Sequence, residues 1–266
     1  MLKQAADFYE ESKLLYELLK EIESSEFENV TQFKNWTYND VIRHLHTWNY
    51  AINLSLKDKD RWKKFLIKLE KALESGQTLK QFEKLLFKGV RGKNLLSLWK
   101  DYCMRTRELF KDRNPKERIE WVGPDMSVLS AISSRQMETW AHGQSIFDDF
   151  GIERKNTDRI FNIVIIGKNT FKWSFQVNNM PIPSEMPYLK LKAPSGKDWK
   201  FNSSNNENII EGKAEDFCKV VTQVRNIDDL KLKVEGKVAK KWMEIAQCFA
   251  GKAEKPPISG SRKIRK

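Results

Sequence analysis

The stretch Trp36-Thr37-Tyr38-Asn39-Asp40-Val41-Ile42-Arg43-His44-Leu45 sets the start, the buried face and the first reactive side chain of a helix. Thr37 followed three residues later by Asp40 has the form of a capping box. In that motif the hydroxyl and the acid each accept from a backbone N–H that the first helical turn leaves free. Val41, Leu45, Trp48 and Ile52 then recur at helical spacing and line one stripe. At about 100° per residue, His44 falls about 60° from Val41, at the edge of that stripe, and His46 about 140° from it. The spacing predicts His44 facing in and His46 facing out.

Upstream, Phe8, Leu15, Leu18, Leu19 and Ile22 give an amphipathic helix from Met1 to about Ser24. Downstream, Trp62 to Leu73, Leu79 to Phe87 and Leu95 to Phe110 read as further helical segments. Gly89 and Gly92 punctuate the chain before the last of them. Gly-Val-Arg-Gly-Lys there lacks the spacing and the Ser/Thr of a phosphate-cradling loop. Asn114-Pro115 and Gly123-Pro124 bracket a loop, and Met126 to Phe150 reads as a long helix closed by Gly151. Four main helices with short connections predict a bundle over residues 1–154.

Beyond it the period changes. Thr157 to Ile166 suits a strand by its β-branched residues and either element by its length. Phe171, Trp173, Phe175 and Val177 alternate with polar residues, as do Leu189 and Leu191, and both runs read as half-buried strands. Pro194-Ser195-Gly196 turns the chain towards Trp199 and Phe201, the partner strand of a hairpin. Two helices follow, one carrying Phe217, Val220, Val221 and Val224, the other Val238, Trp242, Ile245 and Phe249. Leu230, Leu232 and Val234 read as a strand between them. The fold class expected is mainly α, a four-helix bundle followed by a small α+β domain over 155–251.

Composition narrows the function classes. With 40% hydrophobic residues, 9 Trp and 15 Phe, the chain can build real cores. The longest nearly unbroken apolar stretch, Ile160 to Ile166, is far shorter than the ~20 residues that span a bilayer. Met1 to Lys20 interleaves Lys and Glu with Leu, unlike a secretory signal. Cys103, Cys218 and Cys248 are odd in number and form no C-x-x-C pair, which fits a reducing cytoplasm. The net charge of +12 raises nucleic acid as a partner. However, residues 252–266 carry six basic residues against one acidic, in a Pro-, Ser- and Gly-containing tail expected to be disordered. The other lysines are interspersed with acids as on solvated faces, which argues against a nucleic-acid surface.

Only three histidines exist, at 44, 46 and 142. Glu138 and His142 are four apart and share a helix face. Ser127, Ala131, Ser134, Arg135, Ala141 and Ser145 lie on the same side, and such small neighbours leave space around an acid and an imidazole. Two readings stand. Glu138 and His142 form a surface pair and His44 is a core histidine, or the three form a metal site, since two His and one carboxylate suit zinc or a related divalent ion with open positions. Arg135 is either a partner for Glu138 at i, i+3 or an anion anchor beside the metal. Arg225, at the end of a helix, either complements that terminus or binds a substrate carboxylate. Cys218 reads as a core filler.

The decapeptide resembles the W-T-x-x-D-x-x-x-H-L signature of the DinB-like, mycothiol-dependent maleylpyruvate isomerase superfamily. Arg135-Gln136-Met137-Glu138-Thr139-Trp140-Ala141-His142 resembles its later R-x-x-E-x-x-x-H helix. Phe171 onwards and Gly212 to Arg225 resemble the small C-terminal domain of isomerase relatives, so the resemblance spans nearly the whole chain except the basic tail. The nearest subgroup is one described only as metal-binding. The resemblance implies a DinB-like bundle and a divalent metal, often zinc, held by His44, Glu138 and His142. It further implies a low-molecular-weight thiol and a small-molecule substrate meeting between the domains. One departure stands out: the family usually carries an acid three residues after the second histidine, where this sequence has Ser145. Asp148 falls on another face, and Asp149 lies one turn further on. The function expected is a metal- and thiol-dependent isomerase or S-transferase acting on a small organic acid. The alternatives are a non-catalytic metal- or ligand-binding module and a metal-dependent hydrolase that needs no thiol. Arg135, Ser145 and Arg225 are the candidate substrate-binding residues.

Overall fold

The computed structural model describes residues 1–265. They form two compact units, residues 1–146 and the chain from Phe147 onwards.

The first unit carries helices α1 (Lys3–Leu19), α2 (Tyr38–Lys57), α3 (Lys59–Glu74), α4 (Leu79–Leu86) and α5 (Gly92–Phe110). A two-residue hairpin, β1 (Arg118–Ile119) with β2 (Met126–Ser127), leads into α6 (Val128–Asp149), in whose last turn the division between units falls. One core gathers Phe8, Leu15 and Leu19 of α1 with Val41, Ile42, Leu45 and Ile52 of α2. Leu95, Trp99 and Phe110 of α5 and Val128, Ala131, Ile132 and Ile146 of α6 complete it. These are the four helices of the expected bundle.

A second core lies on the other side of α2. There Trp48, Ala51 and Leu54 meet Trp62, Phe65 and Leu69 of α3 and Phe82 of α4. Helix α2 is therefore covered on both sides, and seventeen of its twenty residues are buried. This corrects the reading of His46. It does not face solvent but is 1% exposed, with its ring between Phe87 at 4.5 Å and Tyr102 at 4.8 Å. Burial alone pushes its pKa down to about 4. Trp48, read as part of a single stripe with Val41, Leu45 and Ile52, belongs instead to the second core, so one apparent stripe concealed two packed faces.

The capping box forms as read. Thr37 Oγ1 accepts from the Asp40 N–H at 3.1 Å, and the Thr37 N–H donates to Asp40 Oδ2 at 3.1 Å. The same turn is tied to its surroundings: Lys80 pairs with Asp40 at 2.7 Å, and Asn39 Oδ1 accepts from the Gly92 N–H at 2.8 Å. The start of α2 is thereby fixed against α4 and α5.

The second unit contains α7 (Phe161–Asn169), α8 (Phe171–Val177), β3 (Tyr188–Lys192), β4 (Asp198–Phe201), β5 (Ile209–Lys213), α9 (Ala214–Val221), β6 (Lys233–Glu235) and α10 (Lys237–Ile245). The sheet order is β4-β3-β5-β6, with β3 antiparallel to β4 and parallel to β5, and β5 antiparallel to β6. Leu189, Leu191 and Ile210 are fully buried, and α9 packs against β3 and β5. Helix α7 crosses α9 at Gly167, where an added Cβ would stand 2.8 Å from Val221. The β3–β4 hairpin turns at Pro194-Ser195-Gly196 as the sequence indicates, Gly196 taking φ +85°.

Three expectations are corrected here. Phe171 to Val177 is a helix, not a strand: its buried residues are Phe171, Ser174 and Phe175, a helical set, and Phe171 packs against Trp242 at 4.9 Å. Aromatic residues at alternate positions mimicked a strand because the intervening Ser174 is buried too. The strand expected over Leu230 to Val234 is confined to Lys233–Glu235. Residues 252–265, expected as a disordered tail, are hydrogen-bonded along their length. Gln223 Nε2 donates to the Glu254 carbonyl, Asn226 Nδ2 to the Pro257 carbonyl and Arg262 to the Gln223 carbonyl, while Arg265 pairs with Asp149 at 3.0 Å. Polar side chains around the end of α9 supply the partners that composition could not foresee. Lys266 lies outside the described residues. Among the described residues, no helix is long and apolar enough to cross a membrane.

Replacing Thr37 by Ala removes one half of the capping box, and urea unfolding should show a loss of about 1 kcal/mol. Thr37→Ser, which keeps the acceptor oxygen, should restore most of it.

Candidate metal centre

The bundle brings His44 of α2 together with Glu138 and His142 of α6. Glu138 Oε2 lies 3.4 Å from His44 Nε2 and 3.0 Å from His142 Nε2, and the three donor atoms all fall within 4.8 Å of one another. Donors ~2.0 to 2.2 Å from a zinc ion in a tetrahedral set stand about 3.4 Å apart, so the spacing suits one ion. Two imidazoles and a carboxylate also match the donor set of a divalent metal that keeps an open position.

Aromatic rings wall the group. The Trp36 ring stacks on His142 at 5.6 Å and 3° and meets His44 edge-on at 5.2 Å, while Phe33 approaches His142 at 4.9 Å. Trp36 is the residue immediately before the cap of α2, so the fold of the decapeptide positions a wall of the site as well as a candidate ligand.

Sequence reading missed Glu83. It sits on α4, 2% exposed, with Oε1 2.8 Å from His44 Nδ1 and accepting from Trp48 Nε1 at 3.1 Å. A carboxylate on Nδ1 holds a proton there, so Nε2, once it gives up its own proton, is the nitrogen that would bind a metal. This is the usual support of a metal-binding histidine. A signal was present: Leu79, Phe82, Glu83 and Leu86 follow the i, i+3, i+4, i+7 pattern, so the acid interrupts an apolar stripe.

The electrostatics follow from this crowding. Burial disfavours a charge on His44, but the carboxylates of Glu83 and Glu138 more than offset it and raise the pKa to about 9. His142 moves the other way, pushed down by burial and by the neighbouring His44 against the pull of Glu138. Burial also opposes the Glu138 charge, yet the hydrogen bonds from His142 and His44 hold this carboxyl well below its usual range.

The remaining candidates divide. Arg135 lies one turn before Glu138 and is 5% exposed, but the two form no ion pair; its guanidinium lies over the Trp121 ring at 5.4 Å. Ser145 directs its hydroxyl to the His142 carbonyl at 2.8 Å. Arg225 belongs to the second unit, where it pairs with the buried Asp148 at 2.6 Å. Asp148 and Asp149, the nearest acids beyond Ser145, are thus both in ion pairs, with Arg225 and Arg265.

A helical bundle with two histidines and a glutamate converging from two helices defines the class, and comparison with known proteins defines the family. Residues 8–147 match the model of the mycothiol maleylpyruvate isomerase N-terminal domain. The chain belongs to this family, within the DinB-like superfamily. Two uncharacterised proteins from two strains of Mycobacterium tuberculosis are each 32% identical to it over 255 residues, covering 96% of this chain and 96% of theirs. Among solved structures, it is similar to the mycothiol-dependent maleylpyruvate isomerase and to a mutant of that enzyme. Both have a TM-score of 0.53 at 12% identity and match 87% of this chain, with 91% and 92% of theirs covered. That similarity shows the shared fold, a bundle followed by a small α+β domain.

Glu83→Gln keeps the size of the side chain but removes the charge on His44 Nδ1. Chelator competition should show metal affinity weakened ~10- to 100-fold, without the complete loss expected when a ligand is removed.

Proposed function

We propose that this protein is a metal-dependent enzyme that uses a low-molecular-weight thiol for isomerase or S-transfer chemistry on a small organic acid. The observation that carries the reading is the convergence of His44 Nε2, Glu138 Oε2 and His142 Nε2, with Glu83 orienting His44 from behind. Zinc is the ion these donors suit best. When bound, a divalent ion supplies a Lewis-acid position that favours the deprotonated form of a thiol or water at neutral pH. The thiol and the class of chemistry are carried over from the isomerase named by the family and by the similar structures.

The chain's own residues have separable parts in this scheme. Glu83 keeps a proton on His44 Nδ1 and so leaves Nε2 free to bind. Trp36 and Phe33 restrict water around His142. Ser145 stands where the family usually has an acid, and its hydroxyl is committed to a backbone carbonyl. We therefore assign no carboxylate base to that position. Addition or transfer of an already ionised thiol needs no such base, since its proton has gone to solvent. The burial of all three free cysteines, Cys103 pushed up to about 12 by desolvation, leaves the protein itself no reactive thiol among them. The nucleophile then comes from a diffusible thiol in a reducing compartment, for which we propose the cytoplasm.

Ser145, together with the engagement of Asp148 and Asp149, favours a second reading, a metal- or ligand-binding module without catalysis. Two measurements separate the readings. Elemental analysis should find one divalent ion per chain in the wild type and none in His142→Ala; equal content in both would refute the site. A panel of low-molecular-weight thiols should then raise the melting temperature of the wild type only when metal is present. Failure of every thiol would leave the binding module as the reading.

A further inference from the structure

Arg135 is a buried charge of the bundle that the proposed metal and its ligands do not explain. It lies on the same face of α6 as Glu138 and His142, three and seven residues before them. The residue is 5% exposed, its Nε is shut off from solvent, and the guanidinium has no hydrogen-bond or ion-pair partner among the described residues. Its plane rests over Trp121, which stacks on Trp62 at 5.8 Å and tilts against Trp48 at 5.6 Å. Trp48 in turn donates to Glu83. Arg135 and the support of His44 thus share one aromatic wall.

A buried guanidinium without a partner is costly, and cation–π contact with one ring offsets only a small part of that cost. The charge of Glu138 acts on Arg135 through space, but that carboxylate makes no hydrogen bond to the guanidinium and is shared by His44 and His142. With a divalent ion in place, the two glutamates balance the metal, and Arg135 remains as an uncompensated positive charge. A planar fork of N–H donors fits a carboxylate, which it can hold through two parallel hydrogen bonds.

We propose that Arg135 anchors the carboxylate of a small anionic ligand whose other end reaches the position framed by His44, Glu138 and His142. This deepens the function proposed above and rests on it only for the placement of that other end. The site selects a carboxylate-bearing small molecule over a neutral one, and an unpaired charge in the ligand-free protein is the cost of that selectivity.

The test uses malonate as the probe, with metal content measured in parallel on wild type, Arg135→Met and Arg135→Lys. Millimolar malonate should raise the melting temperature of the wild type. Arg135→Met should retain the metal, melt no lower than the wild type without malonate, and bind malonate about tenfold or more weakly. A merely structural arginine would give the opposite: a lower melting temperature without malonate, and unchanged malonate affinity in the protein that still folds. Either result overturns the proposal. Should Arg135→Met fail to fold, Arg135→Lys decides, since loss of the fork should weaken malonate several-fold and unchanged affinity would refute the anchor. Repeating the titration in a His142→Ala background distinguishes the two readings. An Arg135-dependent response that persists without metal supports the anchor, even if the metal reading fails.

Discussion

The imidazole of His44 is held at both nitrogens by carboxylates, the buried Glu83 at Nδ1 and the half-buried Glu138 at Nε2, and this one side chain links α4, α2 and α6. Such an arrangement exists only because α2 is enclosed on both sides. The core with α1, α5 and α6 fixes its depth in the bundle, while the smaller core with α3 and α4 brings Glu83 behind the ring. Burying two acids and two imidazoles disfavours folding unless they satisfy one another. The hydrogen bonds among them do so in part, with His142 Nδ1 left without a partner, and a divalent cation would add to them. The capping box at Thr37 and Asp40 belongs to the same construction, because it fixes where α2 begins and hence which residue faces α6.

Much of this was legible in the residues. The Thr37–Asp40 pair, the Val41-Leu45-Trp48-Ile52 stripe and the i, i+4 spacing of Glu138 and His142 are local patterns, and local patterns report on helices directly. The shared side of α6 and the inward edge of α2 made a site of His44, Glu138 and His142 one of two open readings, and the resemblance of the two motifs to the family favoured it. What escaped was non-local. His46 is buried because a second layer covers α2, and nothing on α2 itself announces that layer. Glu83 supports His44 from 39 positions away, and only its place in the apolar stripe of α4 hinted at burial.

The second unit shows the limits of periodicity in short segments. Phe171 to Val177 satisfies a two-residue alternation and a helical face equally well, and contact with Trp242 decides for the helix. The segment 252–265 shows that a basic composition does not by itself imply disorder. Backbone carbonyls and amides there find side-chain partners in Gln223, Asn226 and Asp229, and Arg265 finds Asp149. Arg225 illustrates a related point. Read as ending a helix, it lies beyond the end of α9, and its charge is taken by Asp148, far away in the sequence.

The central claim is that His44, Glu138 and His142 hold one divalent ion and leave a position open to a diffusible thiol. X-ray absorption at the metal edge tests it most directly. The account expects a first shell of nitrogen and oxygen donors at ~2.0 to 2.2 Å with the outer scattering of two imidazoles, and one sulfur at about 2.3 Å only after a thiol is added. A first shell containing sulfur before any thiol is present, or one lacking imidazole scattering, would contradict it.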